Sequence, residues 1–301
     1  MRILHLSDTH LDRFGAPRAG GVNARESLRG LLNDLESVPD IDVIVISGDI
    51  ADDGSPDAYI SVRDIVRDFA LRRGASVFYS TGDHDERRAF ARTLGSGHLR
   101  PDGRNQARAV FTSPAGERAA MSLVDGYRFI TLDSLVPGMG YGLVGEAQLT
   151  WLRGVLATPT PRGTVLVLHH PPIALDVEVQ QSLGLRNAGE LADAIRGTDV
   201  GLILCGHFHL QLSGYLESVP VWVTPGVVGR VDLTAAPGTE RAVRGASATL
   251  VQIGAHHGPL FHTLHARDAR AGETVYELDR EQVRTIVDRL GPADAWAAPG
   301  R

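Results

Sequence analysis

Five short aliphatic runs, each followed within two residues by an aspartate or a histidine, constrain this chain more than any other feature of its sequence. They cover residues 2–7, 42–47, 76–81, 164–168 and 200–205. Each is too short for a globular helix and mostly aliphatic, so each reads as a buried strand. A further run at 127–132 reads the same way. Between the runs lie helix-like stretches with start signals. Asn23 with Glu26 resembles a capping box ahead of residues 27–35. Ser55 followed by Pro56 fits an N-cap and first helical position for a helix reaching Arg72. Residues 146–156 and 188–196 have amphipathic spacing. This alternation predicts α/β architecture. From 212 to 279 short alternating strands replace it, and a second, more antiparallel sheet with hairpin turns is expected there. The expected organisation is one domain over 1–280, then a C-terminal helix and loose tail over 281–301.

The residues that stop the strands carry the chemistry. Asp8 and His10 follow the first run, Gly48, Asp49 and Asp52 the second, and Gly82, Asp83, His84 and Asp85 the third. His169 and His170 follow the fourth, and Gly206, His207 and His209 the fifth. Ligand sites in α/β sheets gather at the carboxyl ends of strands, so these segments can converge in space. Singly, an Asp-x-His or Gly-Asp pair usually marks a turn, and one buried histidine is more often a hydrogen-bonded core residue. Five such motifs, each behind its own strand, point to a metal site. The set offers carboxylates and imidazoles but no thiolate, which suits Zn, Mn or Fe. Seven candidate ligands (Asp8, His10, Asp49, Asp83, His169, His207, His209) exceed what one tetrahedral ion needs and suit two divalent ions, with Asp49 as the natural bridge. Asp52 is open between orienting His84 or a ligand and capping the helix near Ser55. The single cysteine, Cys205, ends an apolar strand and reads as packed core.

Composition excludes several alternatives. All 30 basic residues are arginine, so a Walker-type phosphate lysine, a Schiff base and a lysine general base are impossible. A net charge of −6 argues against nucleic acid as a partner. No apolar run approaches the ~20 residues that span a bilayer, and Asp8 interrupts any signal-peptide core. With one cysteine, a reducing, cytoplasmic setting is expected. His256, His257, His262 and His265 are expected to pack or be solvated rather than bind metal, and Arg72, Arg73, Arg87 and Arg88 to lie on solvated helix faces. Loops 11–22, 134–145 and 173–187 are the expected sources of a specificity pocket.

The order Asp8-x-His10, Gly48-Asp49-x-x-Asp52, Gly82-Asp83-His84-Asp85, His169-His170-Pro-Pro and Gly206-His207-x-His209 resembles the calcineurin-like metallophosphoesterases, and within them the bacterial class III cyclic nucleotide phosphodiesterases. Leu132-Asp133-Ser134 and Gln148-Leu149-x-Trp151-Leu152 support the likeness, which runs from residue 1 to 265. It implies a four-layer α/β/β/α sandwich of two mixed sheets flanked by helices. It also implies one ion on Asp8, His10, Asp49 and His209, and a second on Asp49, Asp83, His169 and His207, with His84 as proton donor to the leaving oxygen. His169 rather than His170 is the implied ligand, because the family pattern uses the first of the pair. The family motif has asparagine where this chain has Asp83. That departure reads either as variation, natural or introduced, with the fold intact, or as a site retuned toward tighter metal and weaker attraction for an anionic substrate. The expected activity is phosphodiester hydrolysis by a metal-bridged hydroxide, favouring a cyclic nucleotide. Glycerophosphodiester, phospholipid or phosphomonoester hydrolysis on the same site is the alternative, and a non-catalytic metal-binding module is the rival of another class. A small phosphodiester is the expected partner, and a homodimer is compatible with the sequence.

Overall fold

A computed structural model describes residues 1–17, 19–254 and 257–292. In chain order the strands are β1 (Arg2–Leu6), β2 (Val43–Ser47), β3 (Ser76–Ser80), β4 (His98–Leu99), β5 (Ala109–Thr112), β6 (Arg118–Val124), β7 (Tyr127–Thr131), β8 (Thr164–Val167), β9 (Val200–Cys205), β10 (Leu212–Leu216) and β11 (Val219–Val223). They continue with β12 (Arg230–Val231), β13 (Glu240–Val243), β14 (Ser247–Gly254), β15 (His257–His265) and β16 (Thr274–Leu278). The helices are α1 (Ala24–Asp34), α2 (Pro56–Arg73), α3 (Arg87–Leu94), α4 (Glu146–Leu156), α5 (Glu178–Leu183), α6 (Ala188–Ile195) and α7 (Arg280–Leu290).

Two mixed sheets dominate. One runs β15-β14-β1-β2-β3-β4 and the other β10-β11-β9-β8-β7-β6-β5. Their centres are parallel, β1-β2-β3 in the first and β7-β8-β9-β11 in the second. Strand alternation then divides the core. Ile3, Val43, Val45 and Phe78 from the first sheet meet Phe129, Val165, Val167, Leu202 and Leu204 from the second. The intervening residues Leu4, Leu6, Ile44 and Ile46 pack outward on Leu28 and Leu31 of α1 and Tyr59, Val62 and Phe69 of α2. On the far side Ile130, Leu166 and Ile203 pack on Leu149 and Leu152 of α4 and Leu191 and Ile195 of α6. Strands covered on both faces are apolar at nearly every position, and the exceptions pair, as His5 does with the Ser47 hydroxyl at 2.8 Å. The result is the four-layer α/β/β/α sandwich.

The helix starts follow their local chemistry. The Ser55 hydroxyl accepts from the Ala58 amide at 3.3 Å with Pro56 at the first helical position, and Gly74 (φ 66°) ends α2. Asn23 caps α1 by accepting from the Glu26 amide. Asp279 and Gln282 form a reciprocal capping box on α7.

The expectation of a second, more antiparallel sheet over 212–279 is corrected. That stretch is shared among three sheets. β10 and β11 extend the second large sheet, and β14 and β15 extend the first, with β14 pairing antiparallel to β1 (Arg2 opposite Gln252). Only β12, β13 and β16 form a separate three-stranded sheet. Residues 293–301, expected as a loose tail, lie outside the described residues, as does His256.

Candidate metal centre

The five ligand-bearing loops leave the carboxyl ends of parallel strands: three after β1, β2 and β3 of one sheet, two after β8 and β9 of the other. Because the two sheets are packed face to face, these ends meet. One group of ligand atoms, from Asp49, Asp83, His169 and His207, lies within 4.8 Å of one another, and a second, from Asp8, His10 and His209, does the same. Asp49 connects them, its carboxylate standing 3.4 Å from both His10 Nε2 and His169 Nε2. All seven sequence candidates therefore converge. The close approach needs absent side chains: a Cβ on Gly82 would overlap Asp49, and one on Gly206 would overlap Ser7.

Hydrogen bonds fix which imidazole nitrogen faces the centre. His169 Nδ1 donates to the Ser47 carbonyl at 2.7 Å, His209 Nδ1 to the Gly229 carbonyl at 3.2 Å, and His10 Nδ1 to Asp52 at 3.1 Å, so each turns Nε2 inward. His207 is reversed, with Nε2 donating to the Leu183 carbonyl at 2.9 Å and Nδ1 standing 3.1 Å from Asp83. In its neutral form each ring therefore turns a lone pair inward. His10 Nε2 and His209 Nε2 face each other at 3.2 Å, beside the carboxylates of Asp8 and Asp49. Lone pairs facing lone pairs and carboxylates repel unless a cation lies among them. The donor set, four imidazoles with three carboxylates, fits divalent ions of the Zn, Mn or Fe type.

Electrostatics agree. Burial opposes a charge on His169, yet Asp49, then Asp83 and Asp8, raise its pKa well above the usual value. Burial likewise opposes His209, and Asp8 raises it. Burial opposes ionisation of Asp8, but His209 and His169 hold its carboxyl at about 2. Without metal, protons take the cation's part.

His84 stands at the mouth with 42% of its side chain exposed, its ring edge against His10 at 4.7 Å between centroids. Burial lowers its pKa, but Asp49, Asp52 and Asp83 together push it up to about 10. Asp52 lies 3.1 Å from His10 Nδ1 and 3.3 Å from His84 Nδ1, while Ser55 performs the helix cap. Asp52 thus touches both rings and does not cap the helix.

Three neighbours of the cluster gain their partners only in the fold, and one of them, Arg87, corrects an expectation. Asp85 accepts from the amides of Ile50, Ala51 and Gly82, tying the second and third ligand loops together. Its spacing in the Gly-Asp-His-Asp run was the available signal. Arg87 does not lie on a solvated face: it makes a bidentate pair with buried Asp133 at 2.8 and 3.0 Å. His170 is fully buried, with Nδ1 on Ser134 and Nε2 3.6 Å from Asp83. Among the described residues no ligand-spaced group includes His257, His262 or His265, and Cys205 is buried in the outer core. No helix among the described residues is long and apolar enough to cross a membrane.

The fold recurs in solved structures of very different sequence. A yellow lupin purple acid phosphatase superposes with a TM-score of 0.56 at 13% identity, covering 94% of this chain but only 55% of that longer one. The Plasmodium inner-membrane-complex anchor GAP50 superposes with a TM-score of 0.57 at 14% identity, covering 96% of this chain and 94% of the other. Likeness at this identity shows the fold alone; the sequence relatives carry the class of protein, a metal-dependent phosphoric ester hydrolase. The chain belongs to the calcineurin-like phosphoesterase family, whose model matches residues 1–211. It is 38% identical over 245 residues to a cAMP/cGMP dual specificity phosphodiesterase of Mycobacterium tuberculosis, covering 81% of this chain and 73% of that one. It is 33% identical over 214 residues to the 3′,5′-cyclic adenosine monophosphate phosphodiesterase of Escherichia coli K12, covering 70% of each.

Proposed function

We propose that the chain hydrolyses a phosphodiester on two divalent ions, with a cyclic nucleotide as substrate. One ion would be held by Asp8, His10, Asp49 and His209, the other by Asp49, Asp83, His169 and His207. The observation that carries this reading is the ring of inward-facing lone pairs and carboxylates around Asp49. Such ions, when bound, acidify water and offset charge on phosphoryl oxygens. The chain's own residues do the rest. Asp49 spans the two groups. His84, solvent-facing and beside Asp52, would hold a proton where a leaving oxygen emerges. Asp52 keeps the His84 and His10 rings in orientation. The substrate class is supported by the relatives, which are named as cyclic nucleotide phosphodiesterases. A single buried cysteine supports action in the cytoplasm.

The test is turnover by protein stripped with chelator and reloaded with Mn²⁺, Fe²⁺ or Zn²⁺. The panel holds 3′,5′- and 2′,3′-cyclic nucleotides, bis(p-nitrophenyl) phosphate, p-nitrophenyl phosphate and glycerophosphocholine. Metal-dependent hydrolysis with the highest kcat/KM on a cyclic nucleotide is expected. No hydrolysis with any ion would return the chain to a binding role, and preference for the monoester or glycerophosphocholine would overturn the substrate.

A further inference from the structure

We infer that a small apolar chamber beside His10 and His209, walled by the three-stranded sheet, receives the substrate's base as a neutral, flat heteroaromatic ring. This inference rests on the cyclic nucleotide reading above and gives that substrate its second point of recognition.

The chamber holds about 140 Å³ and is lined by Val22, Val228, Ala242, Val275 and Tyr276 together with the two histidines. Whole small-molecule sites run to ~300–1,000 Å³, so this chamber suits one group of a ligand whose remainder lies elsewhere. His10 and His209 belong both to its wall and to the ligand cluster. The chamber therefore adjoins the cluster across these two rings, close enough for one substrate to be considered over both.

Its chemistry selects the group. Apart from the two histidines and the Tyr276 phenol, no lining side chain is ionisable. A choline, serine or second phosphate group would lose its hydration there without a compensating charge. An uncharged ring would exchange water for valine methyls and the tyrosine face. The contrast lies on the other side of the cluster. A chamber of about 520 Å³ beside Asp83 carries Asp85, Glu86, Arg87 and Arg88, which suits the polar, solvated part of a substrate.

The walls are built for the purpose. β13 and β16 pair Ala242 with Tyr276 and Val243 with Thr274, which leaves Val275 as an extra residue in the ladder. Such a bulge re-aims a side chain, and here Val275 and Tyr276 both line the chamber although they are adjacent in a strand. The Tyr276 hydroxyl donates to Glu240 at 2.9 Å, which fixes the ring as a wall. On the opposite side the short helical turn over Ala19–Gly21 rests on β16, so closely that a Cβ on Gly20 would overlap the Val275 backbone. That turn delivers buried Val22. Of the three loops expected to supply specificity, only 11–22 reaches its edge here, at Val22. Residues 135, 137 and 138 line the charged chamber instead, and 175–180 line a third.

The test compares two substrates, 3′,5′-cyclic AMP and the base-free 3′,5′-cyclic phosphate of 1-deoxyribose, in Mn²⁺-loaded protein. Ala242→Leu fills the chamber and Tyr276→Ala removes a wall at an exposed position. Wild type should favour the base-bearing substrate by roughly 10- to 100-fold in kcat/KM, the worth of burying one aromatic group. Ala242→Leu should erase most of that preference while changing turnover of the base-free substrate less than about 2-fold, with metal content intact. Tyr276→Ala should lower the preference in the same direction, and it carries the test if Ala242→Leu fails to fold. Equal losses on both substrates, or an unchanged preference in both variants, overturn the inference alone. Wild type that hydrolyses neither substrate overturns the reading beneath it, and the inference with it.

Discussion

Replacing Asp83 by asparagine isolates one charge in an otherwise preserved site. Asp83 Oδ1 stands 3.1 Å from His207 Nδ1 and 3.2 Å from His169 Nε2, and its side chain is 11% exposed. Asparagine has nearly the same shape and keeps an oxygen there, so the ligand geometry can survive. The charge does not. With two divalent ions, the carboxylates of Asp8, Asp49 and Asp83 leave a balance of +1, which asparagine would raise to +2. The ligand atoms of this group lie within 4.8 Å of one another, so a phosphate bound over them sits ~6 Å from the altered charge. At an effective dielectric of ~20 one unit charge at ~6 Å amounts to ~3 kcal/mol, and solvent at the mouth reduces it to about 1–2 kcal/mol. Asp83→Asn should therefore raise kcat/KM for bis(p-nitrophenyl) phosphate by roughly 5- to 30-fold at saturating Mn²⁺. It should also raise the Mn²⁺ concentration that gives half-maximal rate, because an amide oxygen replaces a carboxylate. Lower kcat/KM under metal saturation would refute the reasoning and make the carboxylate a requirement of this enzyme's chemistry.

Asp49→Ala should lose both ions together, since one carboxylate serves both groups; elemental analysis finding two ions retained would sink the bridging role. His84→Ala should keep its metals yet lose ~10²–10⁴-fold turnover on cyclic nucleotides and far less on nitrophenyl esters, whose leaving group needs little protonation; equal losses would make His84 a phosphate-positioning group. A proton-donating His84 makes kcat/KM fall as pH rises through its pKa. Bound ions offset Asp49 and Asp83, so that limb should lie below the value of about 10 seen without metal. Asp52→Asn, which removes another raising charge, should move the limb to still lower pH in a rate profile. Asp85→Asn turns an amide N–H₂ toward one of three backbone donors and should cost ~1–3 kcal/mol in urea unfolding; unchanged stability would show that the two loops hold without it.

What the sequence made legible was what local chemistry decides. β2 and β3 fall inside the aliphatic runs at 42–47 and 76–81, and α2 begins where Ser55 and Pro56 require. The seven candidate ligands were legible because apolar strand and polar terminus adjoin in the chain. The three-stranded sheet was not, because its strands resemble those of β10, β11, β14 and β15 in composition. Only partner choice separates them, such as β14 against β1 across the whole length of the domain. The same holds for side chains whose role is set by a distant partner. Arg87 looks like any helix-face arginine until Asp133, 46 residues away, is packed beneath it. The contacts of Asp52 with His10 and His84 likewise exist only in the folded chain.

The ligand positions also explain why aspartate and histidine suffice as markers. Among the described residues eight non-glycine positions have positive φ, and five of them are candidate ligands: Asp8 (56°), His10 (43°), Asp49 (47°), His207 (72°) and His209 (49°). Left-handed backbone costs ~1–3 kcal/mol at a residue with a Cβ, and aspartate, asparagine and histidine tolerate it better than most. The strain is held by bonds that cross between loops. The Asp8 amide donates to the Gly48 carbonyl, the His10 amide to the Asp49 carbonyl, and the Val231 amide to the His209 carbonyl. The His207 amide donates to the Asp8 carboxylate. An abrupt turn off a parallel strand asks for residues at ease with positive φ, and a divalent ion asks for carboxylate or imidazole. Aspartate and histidine meet both demands, so at these strand ends the backbone requirement and the ligand requirement select the same letters.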